Sequence, residues 1–265
     1  MKDAKWFSNQ VVLVTGASGG LGAQIALELA RRDVQLILVA RNESKLEQVA
    51  AECKSFTSKP VDIYSCDLTQ DESVNELLAT LDETYKITMA INNAGLGYFK
   101  LAKDLSESEI SQMLQLNLNA LIKITQHFVP RFIEAKSGVI VNVASQAAKS
   151  ATAKSSVYSA TKFGVLGYSN ALRLELKPYG IHVMTVNPGP IATDFFDKAE
   201  PTGKYLEQLG SVVLDPVKVA GEVVKGIERE KREVNLPKSM NFASKLNVLF
   251  PKLGDRLLGS IFDKK

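Results

Sequence analysis

"VVLVTGASGGLGAQIALELARR", residues 11–32, is the stretch whose reading decides the fold. Its first five residues read as a buried strand, a glycine-rich turn follows directly, and the remainder repeats apolar residues at helical spacing. Glycines in such a turn let the backbone approach a pyrophosphate closely, and the helix behind offers unpaired amides and a partial positive charge. Strand, turn and helix together predict a dinucleotide site on Gly16, Ser18, Gly19, Gly20 and Leu21, with Gly22 completing the turn.

The same rhythm continues outward from this unit. "VQLILVA", "VDIYSC", "ITMAIN", "GVIVNVAS" and "IHVMTVN" read as further strands, with a short seventh near "REVNLP", and longer segments of helical period separate them. Start signals agree: Thr69 with Glu72 and Ser106 with Glu109 have capping-box spacing, and Asp215 precedes Pro216 as an N-cap precedes a first-turn proline. The expected fold is α/β, a Rossmann-type doubly wound parallel sheet of about seven strands with helices on both faces. Any ligand should lie across the carboxyl ends of the strands. With 265 residues and no linker or repeat, residues 1–237 read as one domain and 238–265 as a basic amphipathic tail.

Composition removes several function classes. The net charge is +3, but from Lys238 onward six basic residues face only Asp255 and Asp263, which leaves the body about −1 and no nucleic-acid surface. Cys53, Cys66, His127 and His182 lack ligand spacing and are expected to be structural, so no metal and no disulfide are assigned. A hydrolase elbow of the form G-x-S-x-G is absent. The polar N-terminus reads as neither signal peptide nor membrane span, and a cytoplasmic protein is expected.

Chemistry enters with "SSVYSATKFG", residues 155–164, which sets Tyr158 four residues before Lys162. On a helix these are neighbours. At about 4 Å and an effective dielectric of about 20, an ammonium favours a phenolate by roughly 4 kcal/mol, about three pH units before burial subtracts its share. The pair alone is common on solvated helices, so the rest of the chain must give it weight.

The series of motifs does so. Gly16-x-x-x-Gly20-x-Gly22, "NNAG" at Asn92–Gly95, Asn117, Ser145, Tyr158-x-x-x-Lys162 thirteen residues after that serine, and "NPGPIATD" from Asn187 resemble, in order, the single-domain short-chain dehydrogenase/reductase family over roughly residues 8–235. The resemblance implies that Tyr158 is the general acid/base, that Lys162 lowers its pKa and holds the nicotinamide ribose, and that Ser145 binds the substrate oxygen. It implies further that Asn117 holds a water in a relay to Lys162, with Asn119 an alternative on composition only. Asp67 and Leu68 would flank the adenine, Asn93, Ala94 and Gly95 the ribose, and Ile191 and Thr193 the carboxamide after the Pro188-Gly189 turn.

Cofactor choice rests on residues 39–46, "VARNESKL". Ala40 offers no acid to ribose hydroxyls, whereas Arg41 offers a fork of donors suited to a 2′-phosphate, and Asp33 precedes the strand; NADP(H) is expected. The function read from all this is an NADP(H)-dependent oxidoreductase acting on a carbonyl or secondary alcohol. An epimerase or dehydratase of the same family and a non-catalytic cofactor sensor or scaffold are the alternatives. A small-molecule substrate and a homo-oligomer, dimer or tetramer, are expected.

Near residues 190–212 the family carries its substrate lid, and there Phe195, Phe196, Tyr205 and Leu209 line an apolar pocket or pack the lid shut. The pattern does not separate these two. The tail, with Leu246, Leu249, Phe250, Leu253, Leu257 and Ile261 between Lys245, Lys252 and Arg256, is expected to cover the substrate side or the subunit interface. Peripheral membrane contact ranks below that.

Overall fold

Seven β-branched and leucine-rich segments form one parallel sheet in the order β3-β2-β1-β4-β5-β6-β7. The computed structural model describes residues 2–200, 203 and 210–252. The strands are β1 Val11–Thr15, β2 Gln35–Ala40, β3 Val61–Ser65, β4 Met89–Asn92, β5 Gly138–Val143, β6 Ile181–Pro188 and β7 Glu233–Leu236. Strand order reverses between β1 and β4, and the crevice opened there, beyond the carboxyl ends, is where such sheets bind ligands.

Both faces are covered because side chains alternate along each strand. Val12, Val14, Leu36 and Leu38 pack on one face with α2 (Gly20–Ala30), α3 (Glu43–Lys54) and a later helix, Pro216–Glu228, here α9. Leu13, Ile37, Val39 and Ile140 pack on the other with α4 (Asp71–Thr84), α6 (Ala120–Ala135) and α7 (Ser156–Leu176). All six residues of β5 are buried, as expected of a central strand. Each fully buried Leu or Ile contributes about 1.5–3 kcal/mol, so the two clusters fix the sheet on which the site is mounted.

The remaining helices are short or terminal: α1 Ala4–Ser8, α5 Glu107–Leu114, α8 Phe195–Ala199 and α10 Lys238–Leu249. Ser106 and Glu109 form the expected capping box on α5, and Asp215 caps α9 with Pro216 in its first turn. Thr69 does not cap α4. Gln70 holds that position without a side-chain bond, and Thr69 instead donates its amide and hydroxyl to Asp67 at 3.0 and 2.8 Å. The acceptor two residues away outcompetes the cap in this turn.

Cys53 and Cys66 are buried and free. His182 Nε2 donates to Lys231 O at 2.9 Å, and His127 pairs with Asp82 at 2.8 Å, both structural contacts.

Candidate active site

The crevice is a cleft of about 1070 Å³ running from the β1 turn to α10. Two glycines make its floor. Gly16 has φ +67°, and a Cβ there would lie 2.8 Å from Ala94 Cα; a Cβ on Gly22 would lie 2.2 Å from Gly16 O. Only glycine fits either position. The β1 and β4 turns are then sewn together: Thr15 Oγ1 accepts from the amides of Asn93 and Ala94 at 3.0 and 3.1 Å, and Asn93 Nδ2 donates to Thr15 O and Gly16 O at 3.0 and 3.2 Å. Over Gly19, the residue before α2, a Cβ would meet nothing within 4 Å. An open cradle at a helix N-terminus, lined by backbone amides, fits a pyrophosphate.

Gly16, Ser18, Gly19, Gly20, Leu21, Arg41, Leu68, Asn93, Ala94, Gly95, Pro188, Gly189, Ile191 and Thr193 all line the cleft, as read from the sequence. Two other predicted residues stand apart. Asp67 lines a smaller recess beside Arg41 and Cys66, with one carboxylate oxygen accepting from Thr69. Asn117 lies fully buried behind the cleft. Arg41 is exposed at the end of β2, and among the described residues no carboxylate pairs with it. Nearby, Lys45 reaches across to Asp194 at 3.3 Å.

At the other end the catalytic candidates converge. Ser145 follows β5; its Oγ accepts from Ala147 N at 3.0 Å and donates to Pro188 O at 3.5 Å, which aims the hydroxyl from a fixed turn. Tyr158 and Lys162 lie on successive turns of α7, both buried and both lining the cleft. Lys162 Nζ stands 5.8 Å from the Tyr158 ring centroid and donates to Val143 O at 2.9 Å.

Electrostatics here differ from the sequence expectation in sign. Burial pushes the Tyr158 phenol up to about 12, and a hydrogen bond with Ser145 only partly opposes it. Burial likewise lowers the Lys162 ammonium to about 8. The spacing brought the cation near, but desolvation of the phenolate is the largest influence on Tyr158. Lys162 nevertheless keeps its charge at pH 7, by about tenfold.

Asn117 sits in a single π-helical turn, Gln115–Asn119, between α5 and α6. Such turns insert one extra residue and re-aim side chains. The amide accepts from Leu96 N at 2.8 Å and donates to Leu96 O at 2.8 Å and Thr161 Oγ1 at 3.1 Å. Asn117 Oδ1 and Lys162 Nζ both border Gly95, 3.3 and 3.4 Å from where its Cβ would be. Asn119 bonds Gln115 on the exposed side.

The sequence named Phe195 and Phe196 for the lid and a tail on the substrate side or the subunit interface, but neither Phe99 nor Lys149. Phe99 packs edge-on against Tyr158 at 5.5 Å between centroids, and Phe195 of the lid lies 5.8 Å from the same ring. Phe195 and Phe196 line the cleft; Tyr205 and Leu209 fall outside the described residues. Helix α10 supplies a further wall through Met240, Ala243 and Asn247, while Leu253, Leu257 and Ile261 lie outside the described residues. Lys149 tethers that wall, donating to Glu233 Oε2 and Asn235 Oδ1 at 2.6 Å each and to Asn241 Oδ1 at 3.2 Å. Nothing local in the sequence marks Lys149; only its place four residues after Ser145 would have drawn notice.

Sheet order, glycine cradle and crevice define a Rossmann-like nucleotide-binding protein. Comparison with known proteins agrees, since the model of the short chain dehydrogenase family matches residues 10–203. The ketoacyl reductase HetN of Nostoc is 32% identical over 233 residues, covering 86% of this chain and 78% of its own. Mouse dehydrogenase/reductase SDR family member 7 is 35% identical over 198 residues, covering 72% of this chain and 58% of its own. Among solved structures, a short-chain dehydrogenase from Sphingobium yanoikuyae in complex with NADPH superposes with a TM-score of 0.81 at 29% identity, covering 94% and 95% of the two chains. The bulky-bulky ketone specific alcohol dehydrogenase of Comamonas testosteroni gives 0.78 at 27% identity, covering 92% and 94%. The chain belongs to the short-chain dehydrogenase/reductase family of oxidoreductases.

Proposed function

We propose that the protein is an NADP(H)-dependent oxidoreductase that interconverts a carbonyl compound and its secondary alcohol, with Tyr158 as the acid and base. The observation that carries this reading is the convergence of Ser145, Tyr158 and Lys162 on the cleft that also holds the glycine cradle. Bound in that cradle, the dinucleotide would supply or accept the hydride. Arg41 would take its 2′-phosphate, and an NADPH-bound neighbour supports that choice.

The chain's own residues then manage one oxygen and one proton. Ser145 donates to the substrate oxygen as negative charge grows on it, a bond that strengthens toward the transition state. Tyr158, its pKa raised to about 12, holds its proton until that oxygen becomes the stronger base and then delivers it. Lys162 stabilises the phenolate left behind. Asn117 holds Leu96 and Thr161 in place and lies with Lys162 beside Gly95, from where it would hold a water that returns a proton to the site.

Leu96, Phe99, Phe195, Phe196 and Met240 give the substrate half apolar walls, which suits a hydrophobic ketone or aldehyde. A panel of ketones, aldehydes and quinones, scored by loss of reduced-nicotinamide absorbance with NADPH and NADH in parallel, tests the reading. Turnover of an apolar carbonyl with NADPH preferred supports it; no carbonyl-dependent oxidation of either nucleotide across the panel overturns it.

A further inference from the structure

Helix α10 packs with its polar side chains inward. Asn241 accepts from Lys149, Asn247 donates to Ser150 Oγ at 3.3 Å, and buried Ser244 donates to Asn241 O at 2.9 Å. Facing outward are Phe242, 65% exposed, Val248, 71%, and Leu249, 69%. A surface helix ordinarily presents the reverse. Leu246 and Phe250 extend the exposed apolar face to the rim of the cleft.

Charge on this face has one sign. Lys238, Lys245 and Lys252 are exposed, and residues 238–252 contain no Asp or Glu. A twofold contact between copies through α10 would set these lysines against one another with no carboxylate of the segment to neutralise them. Exposed apolar side chains flanked by lysines instead complement an anionic lipid surface, where rings enter the acyl boundary and ammonium groups meet lipid phosphates. No helix among the described residues is long and apolar enough to cross a membrane, so the contact would be peripheral.

We infer that the outer face of α10 docks on an anionic lipid surface and sets the mouth of the cleft against it. This goes beyond the reaction proposed above and does not depend on it. The test is co-sedimentation of the full chain with vesicles of phosphatidylcholine and phosphatidylserine, against phosphatidylcholine alone, at low and high salt. The expected result is binding to the mixed vesicles that weakens with salt. Lys245→Ala should weaken it about fivefold. The pair Phe242→Glu and Leu249→Glu should weaken it more than about tenfold. Neither Phe242 nor Leu249 lines the cleft, so the pair should leave the melting temperature and nucleotide binding unchanged. Should the pair fail to fold, Lys245→Ala with Lys252→Ala tests the charge contribution alone. Three results overturn the inference: no binding to the mixed vesicles, binding that neither variant weakens, or a wild-type oligomer that the glutamate pair dissociates, which would make this face an interface between copies.

Discussion

Lys162→Met should stabilise the folded protein while abolishing turnover. Burial lowers the Lys162 pKa from 10.5 to about 8, and at about 1.4 kcal/mol per pH unit a charged lysine here costs about 3 kcal/mol. Methionine matches the volume without the charge. Its one loss is the charge-assisted hydrogen bond to Val143 O at 2.9 Å, about 2 kcal/mol, so the net gain at pH 7 is about 1 kcal/mol. The sign depends on pH. Below pH 8 the lysine is charged in both states and the full cost applies. Between 8 and 10.5 the unfolded chain keeps a proton that the folded chain has released, so wild-type stability rises with pH relative to the variant. Urea titrations of both proteins at pH 7 and pH 10 read this directly, because other groups titrate alike in each. The advantage should be gone by pH 10. A variant less stable than wild type at pH 7, or one whose advantage is the same at pH 10, would refute the reasoning that this lysine is held at the expense of stability.

Other outcomes follow from the same geometry. Arg41→Ala should weaken NADPH about 10- to 100-fold, the worth of a charge-assisted bond, and leave NADH within about twofold, as read by fluorescence titration. Lys149→Met should free α10, raising hydrogen exchange over residues 238–249 and the KM of bulky ketones several-fold, with Lys149→Arg restoring part of both. Burial raises the Glu233 pKa, but bonds from Lys149 and Asn235 and the charge of Lys149 outweigh it, so it lies below the usual 4.5. The stability Glu233 gives is therefore present above about pH 4.5 and lost as pH falls below it, and Lys149→Met should flatten that acid limb in denaturant titrations. Cys53 and Cys66, raised by burial to about 12 and about 11, should react with a thiol reagent only on unfolding, which a labelling time course checks.

What the sequence disclosed was what local period and spacing can encode. Continuous burial along "VVLVT" and "VQLILVA" follows from a sheet covered on both faces, and the glycine turn from backbone crowding at Gly16 and Gly22. The Tyr158–Lys162 spacing foretold proximity, yet not the balance of charge against desolvation, because burial depends on what the whole chain packs around the pair. Asn117 was placed by resemblance; the π-helical turn that buries it adds a residue no helical periodicity announces. Helix α10 read as an ordinary amphipathic tail, and only the fold reveals that its polar side faces the domain. Lys149 gathers Glu233, Asn235 and Asn241 from over eighty residues away, beyond the reach of any local pattern.

The proposed reaction stands on the hydroxyl of Tyr158. With NADPH and an apolar ketone turned over by the wild type, Tyr158→Phe removes one oxygen atom and leaves the ring packed against Phe99 and Phe195. Turnover should fall at least about 100-fold, the usual worth of general acid catalysis, while the dissociation constant of NADPH stays within about twofold. A Tyr158→Phe enzyme that reduces the ketone at the wild-type rate would contradict it.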